Sequence, residues 1–248
     1  MILDHPSNLD EIEKHLSKPA PILGAVSFHV EDWDQPTLVL PPAFFEEFLS
    51  SVRALDLYGV TLPLGPCKLS GLTKFTLSMR ATSVSSIVLL DALEQMPSLR
   101  VFEVRLDYAS RQDPVPIDYA IILPHLEEVA TTRDDRFDPP HADTILPSLC
   151  LPSARRVSVR LINASGFPGS SILPLSFEER LPSFSVTPKV SVTFDGGVNI
   201  EFFGLQNSRL ALSMDPFIDY PFTRLTFGAA PFSSVHKLHV RFQGLTRP

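Results

Sequence analysis

A short phrase of apolar and polar positions recurs along this chain. Its nine positions are an apolar residue, Pro or Ser, any residue, a Leu-like anchor, two polar residues, and then an apolar residue, any residue and an apolar residue. Met96–Val104 is the clearest copy. Side chains alternate between the two faces of a strand, so this ending puts both apolar residues on one face. The pattern therefore predicts a series of short strands, each buried on one side.

The anchors recur at the spacing of a repeat protein. Their separations are 29, 20, 27, 27 and 28 residues, in or at the edge of the roughly 20 to 29 residues of leucine-rich repeats. The anchors are Leu23, Val52, Leu72, Leu99, Leu126 and Ala154. After the last anchor the phrase decays, and strands follow at closer spacing. These later strands are predicted at Val190–Phe194, Leu210–Leu212, Leu225–Phe227 and Leu238–Val240.

Helical periodicity interrupts the strand pattern in three places. Pro42–Leu49 and Ser85–Met96 repeat their apolar residues at three and four positions, which predicts helices packed on the outside of the strands. Residues 1–19, where Ser7 and Asp10 precede an apolar series, predict an N-terminal capping helix.

Together these patterns predict an α/β fold: a leucine-rich-repeat-like solenoid with short parallel strands on its concave side and helices and loops outside. We expect one repeat domain over residues 20–248, with clear repeats in 20–161 and irregular ones in 162–248. A strand predicted over Val235–Phe242 is followed by only six residues, so the pattern is compatible with a truncated C-terminal cap.

Proline abundance fits this repeat. The chain has 24 prolines in 248 residues, about twice the usual share of roughly 5%, but at 44% hydrophobic it is too apolar for a disordered proline-rich chain. Pro21, Pro97, Pro124 and Pro152 all lie two residues before an anchor. Because proline lacks an N–H and fixes its own φ, this position suits a turn into a strand.

Composition and motifs favour a non-enzymatic protein inside the cell, in the cytoplasm or the nucleus. The two cysteines are 83 positions apart, no secretory signal or apolar membrane span is present, and nucleotide-binding and nucleophile-elbow motifs are absent. We therefore predict no catalytic residues, no metal, no cofactor and no membrane association. The alternative is a metal-dependent enzyme using the polar residues of the 134–143 loop, with His141. Against it, we expect Thr131–Asp143 to be a solvated loop.

Charge is divided unevenly along the chain. The net charge of −7 combines −11 over residues 1–153 with +4 over residues 154–248. The predicted strand register places basic residues on one face, as a stripe that could bind an acidic or phosphorylated protein segment. The alternative is that their long stems only cover apolar strands while the charged ends stay hydrated. The predicted partner-binding residues are Lys74, Arg156, Arg160, Lys189, Arg209, Arg224, Lys237, His239 and Arg241. Nucleic acid is disfavoured, because the net charge is negative and no aromatic residues interleave with the basic ones.

The region Leu9–Tyr108 resembles the leucine-rich-repeat region of the fungal F-box protein family. The segments that carry the resemblance are His15–Leu23, Leu55–Val60, Leu62–Leu64, Leu72–Leu77 and Leu90–Leu99. The resemblance extends over roughly the first 160 residues. It implies a repeat domain that selects substrates for a cullin ubiquitin ligase, which in that family docks through an F-box that binds the Skp adaptor.

This chain has no segment that resembles the F-box itself, so we do not expect it to dock Skp and cullin alone. The function expected from the sequence is thus a non-catalytic protein–protein interaction module resembling the substrate-recognition region of an F-box protein. The alternative is a truncated or degenerate fragment of that family without ligase docking.

Overall fold

The structure is a computed structural model. It describes residues 24–29, 38–39, 51–61, 69–80, 86–107, 120–134, 145–164, 182, 189–195, 198–216 and 237–243. The predicted capping helix over 1–19, the predicted helix over Pro42–Leu49 and the predicted strand over Leu225–Phe227 lie outside these residues. Within them the fold is α/β: a ten-stranded, mostly parallel sheet, two short ladders and one α-helix.

The strands of the main sheet are five to nine residues long. They are β1 (Ala25–His29), β3 (Ala54–Tyr58), β5 (Lys74–Arg80), β6 (Val101–Asp107), β8 (Glu128–Asp134), β10 (Arg156–Ala164), β11 (Lys189–Asp195), β12 (Val198–Phe203), β13 (Arg209–Pro216) and β14 (Lys237–Gln243). The short parallel ladders pair β2 (Leu38–Val39) with β4 (Val60–Thr61), and β7 (Ile121–Ile122) with β9 (Leu149–Cys150).

The strand order is β1-β3-β5-β6-β8-β10-β13-β12-β11-β14. The first seven strands are parallel to one another, β12 is antiparallel to both of its neighbours, and β14 is parallel to β11. The sequence pattern predicted parallel strands throughout and missed β12. β12 is antiparallel because the links on either side of it are short. A parallel connection needs about a dozen residues, and these links are long enough only for hairpins.

Five of the parallel strands begin with the same pair of backbone hydrogen bonds. The N–H groups of Thr73 and Lys74 both donate to the Arg53 carbonyl, at 2.8 and 3.0 Å, and those of Arg100 and Val101 both donate to the Thr73 carbonyl at the same distances. Equivalent pairs recur at the starts of β3, β8 and β10. The repeat seen in the sequence is therefore also a repeat of backbone geometry.

The repeated prolines lie in turns, as predicted. The Leu99 N–H donates to the Met96 carbonyl at 3.0 Å, which closes a turn with Pro97 at its second position. Proline is favoured there because its φ suits the turn and no N–H is needed. Pro124 and Pro152 occupy the same position in turns closed at 3.3 and 3.2 Å. Pro21 lies outside the described residues.

The core lies on one side of the main sheet. The anchors Val52, Leu72, Leu99, Leu126 and Ala154 are all buried, as are alternating apolar residues of β3, β5, β6, β10, β12 and β13, whereas Val240 of β14 is exposed. Stacked aromatic rings from β5 and β6, Phe75 and Phe102, have centroids 6.0 Å apart. Burial of these alternating residues is the main stabilising contribution, at about 1.5–3 kcal/mol for each large side chain.

The single described helix, α1 (Ser86–Glu94), lies within the predicted Ser85–Met96 segment and buries Leu89, Leu90 and Leu93. It ends two residues before the predicted limit. The N–H groups of Gln95 and Met96 bond to carbonyls three residues back, which tightens the last turn ahead of Pro97. The observed helix confirms the prediction for this segment.

The loop predicted from Thr131 is wrong at its start, because β8 continues to Asp134. Thr131 pairs in register with Val104 on one side and Val159 on the other, and only 6% of its surface is exposed. Its β-branched side chain suits a strand. Its hydroxyl Oγ1, however, is buried without a hydrogen-bond partner. A polar atom thus occupies a position that the neighbouring strands fill with valine.

We predict that Thr131→Val stabilises the fold by about 1 kcal/mol, because it removes a buried hydroxyl that forms no hydrogen bond and keeps the side-chain shape. The free energy of unfolding in urea measures this. Thr132→Val is the matched control: Thr132 is half-buried on the opposite face, and its substitution should change stability by less than about 0.5 kcal/mol. A less stable Thr131→Val variant would show that the hydroxyl does form a stabilising contact.

The hairpin between β12 and β13 contains two residues in the left-handed region. Gln206 has φ 54° and Asn207 has φ 63°, and the Gly204 N–H donates to the Ser208 carbonyl at 2.8 Å. Glycine and asparagine tolerate this conformation, whereas glutamine is strained in it. This hairpin reverses the chain and sets β13 beside β10.

Gln206→Gly should therefore raise the free energy of unfolding by about 0.5–1 kcal/mol, since relief of the strain exceeds the added entropy of the unfolded chain. Asn207→Gly is the control and should have a smaller effect, because asparagine already accepts positive φ. Equal effects of both substitutions in urea unfolding would argue against strain at Gln206.

Candidate partner-binding face of the sheet

The candidate site lies on the side of the main sheet opposite the core, which we call the polar face. Strand register aligns its residues in rows that cross the strands. Row one contains the residues in register with Lys74, row three those with Thr76 and row five those with Ser78. In strand order, row one is Ala25, Ala54, Lys74, Val101, Glu128, Arg156, Arg209, Phe203, Lys189 and Lys237.

Five of the nine predicted partner-binding residues lie in row one. They are Lys74, Arg156, Lys189, Arg209 and Lys237. His239 lies in row three, and Arg160 and Arg241 lie in row five. Arg224 is outside the described residues. The register thus brings most of the predicted set onto one face, while its role in binding stays a prediction.

Lys74 is separate from the rest of the set. Val101 and Glu128 lie between it and Arg156 along row one, and its Nζ is 3.9 Å from Oε1 of Glu103. The contiguous part of the row, on five adjacent strands, is what we call the basic row. It consists of Arg156, Arg209, Phe203, Lys189 and Lys237. With strands about 4.8 Å apart, it is about 19 Å long.

The two arginines of the basic row are each paired with a carboxylate. Arg156 forms an ion pair with Glu128, and Arg209 forms one with Glu201. Both arginine side chains remain more than half exposed, so each pair contributes only about 0–1 kcal/mol to stability. Sequence reasoning missed Glu201 because it missed β12. The positive charge on this half of the face is therefore smaller than the basic residues alone predict.

The two lysines of the basic row have different surroundings. Lys189 is half-buried, and its Nζ is 4.4 Å from the centroid of the Phe203 ring, a cation–π contact. Lys237 is exposed. Within the part of the chain that the structure describes, neither lysine has a carboxylate partner. The side chain of Lys189 is thus held against the Phe203 ring, whereas that of Lys237 is exposed.

The opposite end of the polar face carries a group that sequence reasoning missed. His29 of β1 and Tyr58 of β3 stack with ring centroids 4.1 Å apart and an interplanar angle of 17°. Ser27 Oγ donates a hydrogen bond of 3.3 Å to Asp56 Oδ2 beside them. Asp56 and Tyr58 alternate with buried leucines, and that alternation was the available signal.

The residues considered for other chemistry give no assembled site. Among the described residues, no three His, Cys, Asp or Glu side chains come together as a metal site. Asp134 ends β8, and the rest of the 134–143 loop lies outside the described ranges. Cys150, on β9, is half-buried and is not part of a disulfide. In the described part of the chain, no helix has the length and apolar character needed to cross a membrane.

Comparison with protein-family models, curated proteins and solved structures found no match to this chain. The resemblance to the repeats of fungal F-box proteins therefore rests on the sequence segments named above alone.

Removing the carboxylates should make the basic row more positive. We predict that Glu128→Gln and Glu201→Gln, made singly, each tighten binding of poly-glutamate at low salt by about twofold to fivefold, the value of one exposed charge contact. Fluorescence anisotropy with labelled poly-glutamate measures this. Glu94→Gln is the matched control, because it removes one exposed negative charge from α1, away from the polar face. Equal gains in all three variants would indicate a net-charge effect only.

Proposed function

We propose that this chain is a non-catalytic protein–protein interaction module, a leucine-rich-repeat-like solenoid whose polar face binds a protein partner. The role resembles that of the substrate-recognition region of an F-box protein. The observation that supports it best is the basic row: side chains from five adjacent strands lie at one register position on an accessible face.

Two features of the backbone support the solenoid part of the proposal. The paired hydrogen bonds at the strand starts recur from one repeat to the next, and so do the turns that contain Pro97, Pro124 and Pro152. In solenoid proteins each repeat stacks on its neighbours, and equivalent positions form an extended binding surface. Rows of equivalent side chains are the feature that such a surface requires.

The charge of the basic row favours an acidic or phosphorylated protein segment. Lys237 and Lys189 offer cationic groups that no described carboxylate neutralises, and the arginines can exchange or share their glutamate partners. Hydrogen bonds between such cations and carboxylate or phosphate groups are stronger than neutral ones. Complementary charge also accelerates association and excludes other partners. A location inside the cell and a preference for protein over nucleic acid are part of the same proposal.

The test uses the full chain and labelled peptides of ten glutamates, with and without a central phosphoserine. Lys189→Gln combined with Lys237→Gln should weaken binding about tenfold, the sum of two exposed charge contacts of roughly 0.7 kcal/mol each. Affinity should fall as salt rises. Fluorescence anisotropy gives the dissociation constants.

The control is Arg100→Gln combined with Arg155→Gln. It removes the same charge, but Arg100 and Arg155 directly precede β6 and β10 and so lie outside row one. If this variant loses as much affinity as the lysine variant, the basic row is not a binding site. If wild type binds neither peptide, the proposal of an acidic partner fails.

A further inference from the structure

Three basic residues on the middle strands of the polar face are paired with glutamates, whereas charged residues near its ends have no partner of opposite charge among the described residues. Lys74 pairs with Glu103, Arg156 with Glu128 and Arg209 with Glu201. Asp56, on the second strand of the sheet, has Ser27 as its hydrogen-bond partner and no basic partner among the described residues. Lys189 and Lys237, on the last two strands, have no carboxylate partner among them. The face therefore carries available charge of opposite sign near its two ends.

The acidic end also carries an aromatic surface. We call His29, Tyr58 and Asp56 the aromatic patch. Asp56 and Tyr58 are two positions apart on β3 and share the polar face, so their side chains lie about 7 Å apart. The stacked His29 ring extends the surface of Tyr58 onto the edge strand. The patch thus combines two stacked, half-buried rings with one exposed carboxylate.

We infer that the aromatic patch binds an arginine side chain of the same protein segment whose acidic part binds the basic row; this inference rests on the proposed function. A guanidinium is planar, stacks on aromatic faces and pairs with a carboxylate. Those are the two contacts that Tyr58 and Asp56 provide together.

The Asp56 carboxylate argues against two other ligands for the patch. It repels the phosphates of a nucleic acid, although the rings alone could stack on bases. It also repels a second acidic segment, so the two ends of the face select opposite charges. A partner segment that contacts both ends must therefore be basic at one end and acidic at the other.

The sheet sets the separation of the two charges in the partner. Seven strand steps separate Asp56 on β3 from Lys189 on β11, which is about 34 Å along the face. An extended peptide covers about 3.3–3.6 Å per residue, so about ten residues separate the arginine from the acidic group.

The test measures how the full chain binds labelled peptides that contain one arginine, a Gly/Ser spacer and four glutamates, made in both chain directions. With a ten-residue spacer, one direction should bind about fivefold tighter than the same peptide with glutamine in place of arginine. A three-residue spacer should remove this advantage. Asp56→Asn and Tyr58→Leu should each reduce it by about half or more, without changing the affinity for the glutamine peptide.

Glu103→Gln is the control, because Glu103 shares row three with Asp56 but is already paired with Lys74. This variant should still bind the arginine peptide about fivefold tighter than the glutamine peptide. If the arginine and glutamine peptides bind equally, or if the advantage survives both patch substitutions, the inference is wrong and the acidic-partner proposal stands. If no glutamate peptide binds in either direction, the proposed function fails as well.

Discussion

The register of the parallel ladder is the constraint on which the rest of this structure depends. At the starts of β3, β5, β6, β8 and β10, two successive N–H groups bond to one carbonyl beside the preceding strand, so these neighbouring strands cannot slip by one residue without losing both bonds. Since side chains alternate along a strand, such a slip would also exchange the core side chains with the polar ones. The buried leucines and phenylalanines and the backbone bonds therefore specify the same alignment.

Alignment of the backbone also aligns residues that have no part in the core. Arg156 and Arg209 are 53 positions apart in the chain and become direct neighbours, because β10 and β13 pair in parallel with these two residues in register. Their glutamate partners come from strands on either side, Glu128 on β8 and Glu201 on β12. Glutamates of the same face thus neutralise Arg156 and Arg209, whereas Asp56, Lys189 and Lys237, near the ends of the sheet, have no partner of opposite charge among the described residues.

Much of the fold was predictable from residue patterns, because the repeat is local. The apolar alternation identified the strands that contain Leu55, Phe75, Phe102 and Val157, and the helical spacing identified α1. The sequence pattern did not identify Thr131 as a buried strand residue, because a polar residue occupies a core position there. The alternation of Val198, Ile200 and Phe202 was an available signal for β12, but side-chain alternation does not show the direction of a strand. The positive φ of Gln206 is not visible in the residue type.

The sequence by itself determined the repeat: anchors, turns and alternating strands depend on interactions among residues close in the chain, and those leave a periodic trace. Only the tertiary structure decided which charges meet. The ion pair of Arg209 depends on a hairpin that reverses β12, and the stack of His29 on Tyr58 depends on pairing between strands that begin 29 residues apart. Such contacts follow from strand order, which local patterns do not encode. For this reason the basic residues could be identified in advance, whereas their glutamate partners and the stack of His29 on Tyr58 could not.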